Sequence, residues 1–228
     1  MHIDILSAVP GLLSGPFSHS ILQRAQDRHL LSIMVHDIRD FSTYKHKQID
    51  DYQYGGGAGM VMMAEPIVNA IEYLKAQRNY DEIIFLTPDG IRWQQHFANS
   101  YSMKQNIILL CGHYKGIDQR IRENYITSEI SIGDYVLSGG ELAAAVVVDS
   151  IARLIPGALN DETSALSDSF QDHLLAPPVY TRPPVYRGWE VPKILLSGNH
   201  EAIDKWRYEQ ALQRTQLLRP DLLNNNDQ

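Results

Sequence analysis

The sequence predicts an α/β fold on a largely parallel sheet, followed by a smaller, mainly helical C-terminal unit. Three observations carry this expectation. Short apolar runs alternate with segments of helical spacing, the pattern that lays helices across a parallel sheet. Glycine- or proline-bearing loops follow the apolar runs at the carboxyl ends of the expected strands, where open α/β sheets hold their ligands. Past Pro156-Gly157 the alternation stops, and the chain turns polar and then proline-rich.

Taken in order, residues 3–7, 31–37, 82–87 and 106–112 read as strands, bounded by turn formers such as Val9-Pro10 and Pro88-Asp89-Gly90. Residues 17–29, 65–77 and 93–101 have helical spacing; Ile67, Ala70, Ile71 and Leu74 show it most clearly. A strongly apolar helix opens at Glu141 and ends near Ile155, stopped by Pro156-Gly157. Residues 160–168 are small and polar, a linker composition. Pro177, Pro178, Pro183 and Pro184 mark an extended segment unsuited to a central strand. Asn199 is an N-cap candidate for a helix running to about Thr215, and residues 224–228 are expected to fray. The expected organisation is an α/β domain over 1–157, a flexible linker over 158–170 and a small helical domain over 171–228.

Composition narrows the function classes. A chain of 228 residues that is 44% apolar can bury a sizeable core in one large domain plus a small one. The longest apolar run, 142–148, is far too short to span a bilayer, so no membrane association is expected. The opening lacks a charged segment ahead of an apolar one, and Cys111 is the single cysteine, so a cytoplasmic location is expected. Cys111 ends an apolar run and reads as a small buried hydrophobe rather than a nucleophile. The net charge of −7 argues against a general nucleic-acid binder, although residues 177–220 hold 7 basic against 4 acidic side chains. Nine histidines occur without HExxH-type spacing, so no metal site is expected.

Two glycine-rich stretches stand out. Residues 131–141, Ser-Ile-Gly-Asp-Tyr-Val-Leu-Ser-Gly-Gly-Glu, pass from a loop through Gly139-Gly140 into the apolar helix. Glycines there let backbone amides approach a ligand closely, and a helix start offers unpaired N–H groups. Ser138 and Glu141 fit the S-x-x-E capping box, which competes with direct ligand contact by Glu141. The second stretch, Tyr54-Gly-Gly-Gly-Ala-Gly-Met60, lacks the Gly-Lys-Ser/Thr of a P-loop and alone could be a plain surface loop. The neighbouring 45–51, Lys-His-Lys-Gln-Ile-Asp-Asp, adds charges able to hold a phosphate and a base edge together. Arg153 follows Asp149 by four residues on one helix, which an ion pair and the helix dipole explain without function. Asp168 lies in a polar loop, with Asp161, Glu162 and Asp172 as equally plausible acids on chemistry alone.

These blocks, with Cys111-Gly-His-Tyr-Lys-Gly-Ile-Asp118, Tyr180-Thr-Arg-Pro183, Leu195-Leu-Ser-Gly-Asn-His200 and Arg219-Pro-Asp-Leu-Leu223, occur in an order that resembles the bacterial tRNA (guanine-N1)-methyltransferases. That family belongs to the SPOUT superfamily, and the resemblance spans nearly the whole chain. It implies a trefoil-knotted α/β domain with S-adenosylmethionine as cosubstrate. The expected cofactor-binding residues are Leu86, Thr87, Pro88, Gly112, Tyr114, Ile132, Gly133, Tyr135, Leu137, Gly139 and Gly140. For tRNA they are Lys45, His46, Asp50, Gly57, Gly59, Met60, Arg182 and Asn199.

The resemblance further implies a homodimer with the active site shared between subunits, and transfer of a methyl group to N1 of the guanosine immediately 3′ of the anticodon, position 37. By the same resemblance, Asp168, in an Asp-Ser-Phe triplet, is expected to be the general base, and Arg153, in an Arg-Leu-Ile-Pro-Gly segment, is expected to assist the reaction. Two positions depart from the pattern: Lys115 stands where many relatives carry Glu, and Ala176 where relatives often have Asp. A Mg²⁺ requirement is not legible in the sequence. The alternatives are a SPOUT enzyme acting on ribose 2′-oxygen and an inactive RNA-binding relative. The blocks at 45–63 and 153–170 argue against the first, and retention of Arg153 and Asp168 argues against the second.

Overall fold

In chain order the first unit contains β1 (His2–Ser7), α1 (Ser20–Asp27), β2 (Ser32–Asp37), β3 (Asp50–Tyr52), β4 (Met60–Met62), α2 (Ala64–Lys75), β5 (Glu82–Arg92), α3 (Gln95–Ser102), β6 (Asn106–Cys111), α4 (Gln119–Asn124), β7 (Ser128–Ser131) and α5 (Glu141–Ala152). These come from a computed structural model that describes residues 1–159 and 168–223. The chain divides into two compact units, residues 1–162 and 163–228. Most of the expected linker, and the tail expected to fray, lie outside the described residues.

Five strands form one sheet in the order β2-β1-β6-β5-β7, and every pairing in it is parallel. Strand side chains alternate between faces, and both faces are covered. Ile3, Ile5, Ile84, Leu86, Ile107, Leu109 and Cys111 point to one side, where Leu22 and Ala25 of α1 and the buried face of α5 meet them. Leu6, Ile83, Phe85, Ile108 and Leu110 point to the other, against Ile67, Ile71 and Leu74 of α2 and Ile121 of α4. Full burial of each such large side chain contributes about 1.5–3 kcal/mol. α5 is apolar nearly all round: Ala143, Ala144, Val147, Val148, Ile151 and Ala152 are buried, while Leu142 and Val146 are exposed.

The structure departs from several sequence expectations. The turn expected at Pro88-Asp89-Gly90 does not end its strand. β5 continues to Arg92 around a bulge, so that Leu86 and Ile91 both pair with Ile130 of β7. α1 starts at Ser20 rather than at residue 17, and Phe17 is instead a buried anchor ahead of the helix. The second glycine stretch is flanked by strands that the sequence did not predict: β3 and β4 pair antiparallel (Asp50 with Met62, Tyr52 with Met60), and the glycines form the loop between them. β4 is then stitched to the segment after β6 by Met62 N–H to Gly116 O at 3.0 Å and Lys115 N–H to Met60 O at 3.0 Å.

In the second unit, β8 (Val185–Tyr186) and β9 (Trp189–Glu190) form a small hairpin, and α6 (His200–Leu218) is its one long described helix. Asn199 caps α6 as expected, its side chain accepting from Ala202 N–H at 3.2 Å. Buried Thr215 on α6 holds the entering chain by accepting from Leu175 N–H at 2.8 Å.

Candidate active site

At the edge of the sheet formed by β5 and β7, the bulge of β5 and the loop leaving β7 build a cleft. Its lining includes Leu86, Thr87, Pro88, Ile132, Gly133, Tyr135, Leu137, Gly139 and Gly140, together with Ile130, Ser131 and Ala143. Of the expected cofactor residues, Gly112 and Tyr114 stand outside this lining. Gly112 adjoins it, because its carbonyl accepts from Gly140 N–H at 2.8 Å. Tyr114 is half-exposed in the turn that follows.

Each wall has a physical restraint. Asp89 of the bulge accepts from the Thr87 hydroxyl and from Arg122, the latter at 2.8 Å. These bonds, Thr87's first, hold the Asp89 carboxyl below its ordinary value. Arg122 also grips Glu129 just before the loop, at 2.5 and 2.7 Å, and lies over the Phe85 ring. The opposite wall turns on itself through Ser131, whose hydroxyl donates to Gly133 O at 3.0 Å. Asp134 pairs with Arg92. Tyr135, Val136 and Leu137 are left exposed, apolar groups set around the cleft mouth.

Gly140 is where close approach excludes a side chain. A Cβ there would lie 2.8 Å from Cys111 Cα and 3.0 Å from Gly112 N. Cys111 beneath it is fully buried; burial first and the nearby Glu141 carboxylate second push its thiol well up, which agrees with a core role rather than a nucleophile.

The capping box expected at Ser138 and Glu141 is not formed. The N-cap of α5 is Gly140, with no side-chain cap bond. Glu141 points inward instead, fully buried, accepting from Ser7 Oγ at 2.6 Å and from His113 Nε2 at 2.8 Å. Sequence reasoning missed His113 and Ser7 altogether. No local signal could have found the second, since 134 residues separate it from Glu141.

The expected RNA residues fall in two places. Lys45 and His46 sit in a 3₁₀ turn, Asp50 on β3, Met60 on β4, and Gly57 and Gly59 in the loop between the strands. Tyr52 and Tyr54 beside them are exposed. In the second unit, Arg182 lines a broad cleft with Pro177, Tyr180, Leu195, Ile203 and Arg207, whereas Asn199 is occupied as a helix cap. Arg153 is the C-cap of α5. Asp168 opens the described part of the second unit, next to Ser169, whose hydroxyl accepts from Ala176 N–H at 3.0 Å. Among the described residues no group of three or more His, Cys, Asp or Glu could hold a metal ion. No described helix is long and apolar enough to cross a membrane.

Comparison with known proteins adds an independent finding. The family model described as tRNA (Guanine-1)-methyltransferase TrmD matches residues 1–225. A tRNA (guanine-N(1)-)-methyltransferase of Christiangramia forsetii is 63% identical over 225 residues, covering 99% of this chain and 100% of that protein. Proteins of the same name from Cytophaga hutchinsonii and Porphyromonas gingivalis are 62% and 61% identical, over 97% and 98% of this chain and 94% and 99% of their own lengths.

Proposed function

The chain belongs to the tRNA (guanine-1)-methyltransferase family, and from that premise we propose that it transfers a methyl group from S-adenosylmethionine to N1 of guanosine 37 in tRNA. The observation that carries this reading is the cleft between the bulge of β5 and the glycine-rich loop after β7. Its chemistry suits a nucleoside sulfonium: apolar walls at Leu86, Ile132 and Leu137 flank the side-chain-free backbone of Gly139 and Gly140. When bound, the cosubstrate supplies an electrophilic methyl carbon.

The unit that holds the cleft is read as a SPOUT knot. In support, Gly140 follows β7 at one sheet edge yet bonds back to Gly112 beyond β6, so the intervening loop crosses the end of β5. A homodimer follows from the same reading, and the exposed Leu142 and Val146, one turn apart on α5, offer an apolar face for it. The second unit and the 45–63 segment then serve the tRNA.

Guanine N1 carries a proton and is a weak nucleophile until that proton leaves. Asp168 takes it as the new N–C bond forms, acting as general base. Negative charge grows on O6 in the same step, and Arg153, permanently charged and with several donors in a plane, stabilises it. Lys115 brings an ammonium to the turn where many relatives carry a carboxylate; its side chain packs toward Gly59.

Incubation of the purified protein with labelled S-adenosylmethionine and an unmodified tRNA transcript, followed by nucleoside digestion, tests this reading. The expected product is N1-methylguanosine. Ribose 2′-O-methylation, or no transfer at all, would contradict it.

A further inference from the structure

One buried polar cluster is used by nothing described so far. Glu141 lies at the positive end of the α5 dipole with no solvent exposure, and its two oxygens are taken by different parts of the chain. Ser7, at the end of β1, donates to Oε1, while Ser7 Oγ itself accepts from Val9 N–H at 2.9 Å. His113, in the turn after β6, occupies Oε2. His113 Nε2 and Glu141 Oε2 lie 2.8 Å apart, at hydrogen-bond distance.

The position of the His113 ring gives the cluster its meaning. A Cβ on Gly139 would lie 2.1 Å from His113 Nε2 and 2.5 Å from Glu141 Oε2, so the ring–carboxylate pair is seated directly against the Gly139 backbone. His113 also forms an antiparallel bridge with Gly139, and its neighbour Gly112 accepts from Gly140. Gly139 and Gly140 line the cleft.

We propose that His113 and Glu141 are positioning residues for the methyl-donor cleft, locking the turn at 112–114 to the glycine pair 139–140. The argument is energetic as well as geometric. A buried charged group is a poor source of stability, because apolar side chains of similar volume commonly do as well or better. What hydrogen bonds at a buried carboxylate add is direction: each oxygen fixes one partner at one angle. Here the partners are the ends of β1 and β6, and the fixed object is the backbone that a bound nucleoside would meet.

The inference rests on the proposed use of the cleft, so the test first measures S-adenosylmethionine binding to the wild-type protein by calorimetry. Absence of binding there overturns the proposed function rather than the clamp. Given wild-type binding, His113→Ala is expected to weaken the donor Kd about tenfold or more, as when a buried acceptor loses its donor. KM for the donor should rise in parallel, while kcat at saturating donor and KM for tRNA stay within about threefold, since only uniform donor binding is lost. His113→Gln, which keeps an N–H at similar reach, should recover most of the affinity. Glu141→Gln combined with His113→Ala should lose less than the product of the two single effects, because both break one contact. If Glu141→Gln does not fold, His113→Ala carries the test alone, as it alters a side chain at the cluster's partly exposed end. A folded His113→Ala protein with wild-type donor affinity would overturn the proposal, as would equal losses in kcat and tRNA affinity or no rescue by Gln.

Discussion

The roles proposed for Asp168 and Arg153 rest on the family resemblance, and mutation tests them directly. If Asp168 is the base as proposed, replacing it by Asn removes the base and keeps the shape. Single-turnover methyl transfer is expected to fall roughly 10²–10⁴-fold, the usual range for a general base, with donor affinity nearly unchanged. Arg153→Lys should restore only part of the rate lost in Arg153→Ala, since an ammonium cannot reproduce a planar fork of donors. A stable Asp168→Asn protein with near-normal rate would make Asp172 or Glu162 the base to examine. Legibility differed sharply between residues. Cys111 and Asn199 could be read locally, one from an apolar run and the other from a cap site, and the structure has both as expected. Glu141 could not. Its S-x-x-E spacing satisfied a local rule, while its real partners lie on β1 and in the turn after β6.

At the scale of elements, the fully buried strands were legible because both faces are apolar: β1 and β6 sit within a residue of their expected bounds. β7 was not, because Ser-Glu-Ile-Ser holds one apolar residue and becomes a strand only by pairing with β5. The bulge in β5 was equally hidden, since Pro88-Asp89-Gly90 reads locally as a stop. Arg122 is the residue that ties the bulge down, through Asp89, and the head of the neighbouring loop, through Glu129. Arg122→Ala is therefore expected to speed amide hydrogen exchange across residues 86–92 and 129–133 by about tenfold or more, the opening of a local unit rather than of the fold. Unchanged exchange there would mean that the strand pairing alone holds the cleft wall.

The molecule as a whole carries a second polar cluster away from the cleft, and it sets a pH dependence. Asp4 on β1 is buried and bonded to His2 at 2.8 Å, His36 at 2.6 Å and Tyr80 at 2.5 Å. Burial alone would raise the Asp4 carboxyl, but the hydrogen bonds from His36 and Tyr80 and the two histidine charges outweigh it and hold it below its ordinary value. His2 is also lowered, mainly by burial and further by Arg78 and His36, against the pull of Asp4. Both groups bind protons less readily folded than unfolded. Their contribution is thus complete above the unfolded histidine value of about 6.5, and part is lost as pH falls through the His2 range. More is lost below the unfolded carboxylate value of about 3.9 as Asp4 is protonated. Melting temperature is expected to fall along that course, and Asp4→Asn should lower it at neutral pH while flattening the acid limb. An acid limb of unchanged slope in Asp4→Asn would assign the dependence to other carboxylates.

The proposed methyl transfer to N1 of guanosine 37 is tested by two transcripts of one tRNA that differ only in carrying guanosine or adenosine at position 37. Each is mixed with excess protein and labelled S-adenosylmethionine under single-turnover conditions. Stoichiometric label is expected on N1 of guanosine 37 in the first transcript and none in the second. Label in the adenosine transcript, or at any other position of the guanosine one, would contradict it.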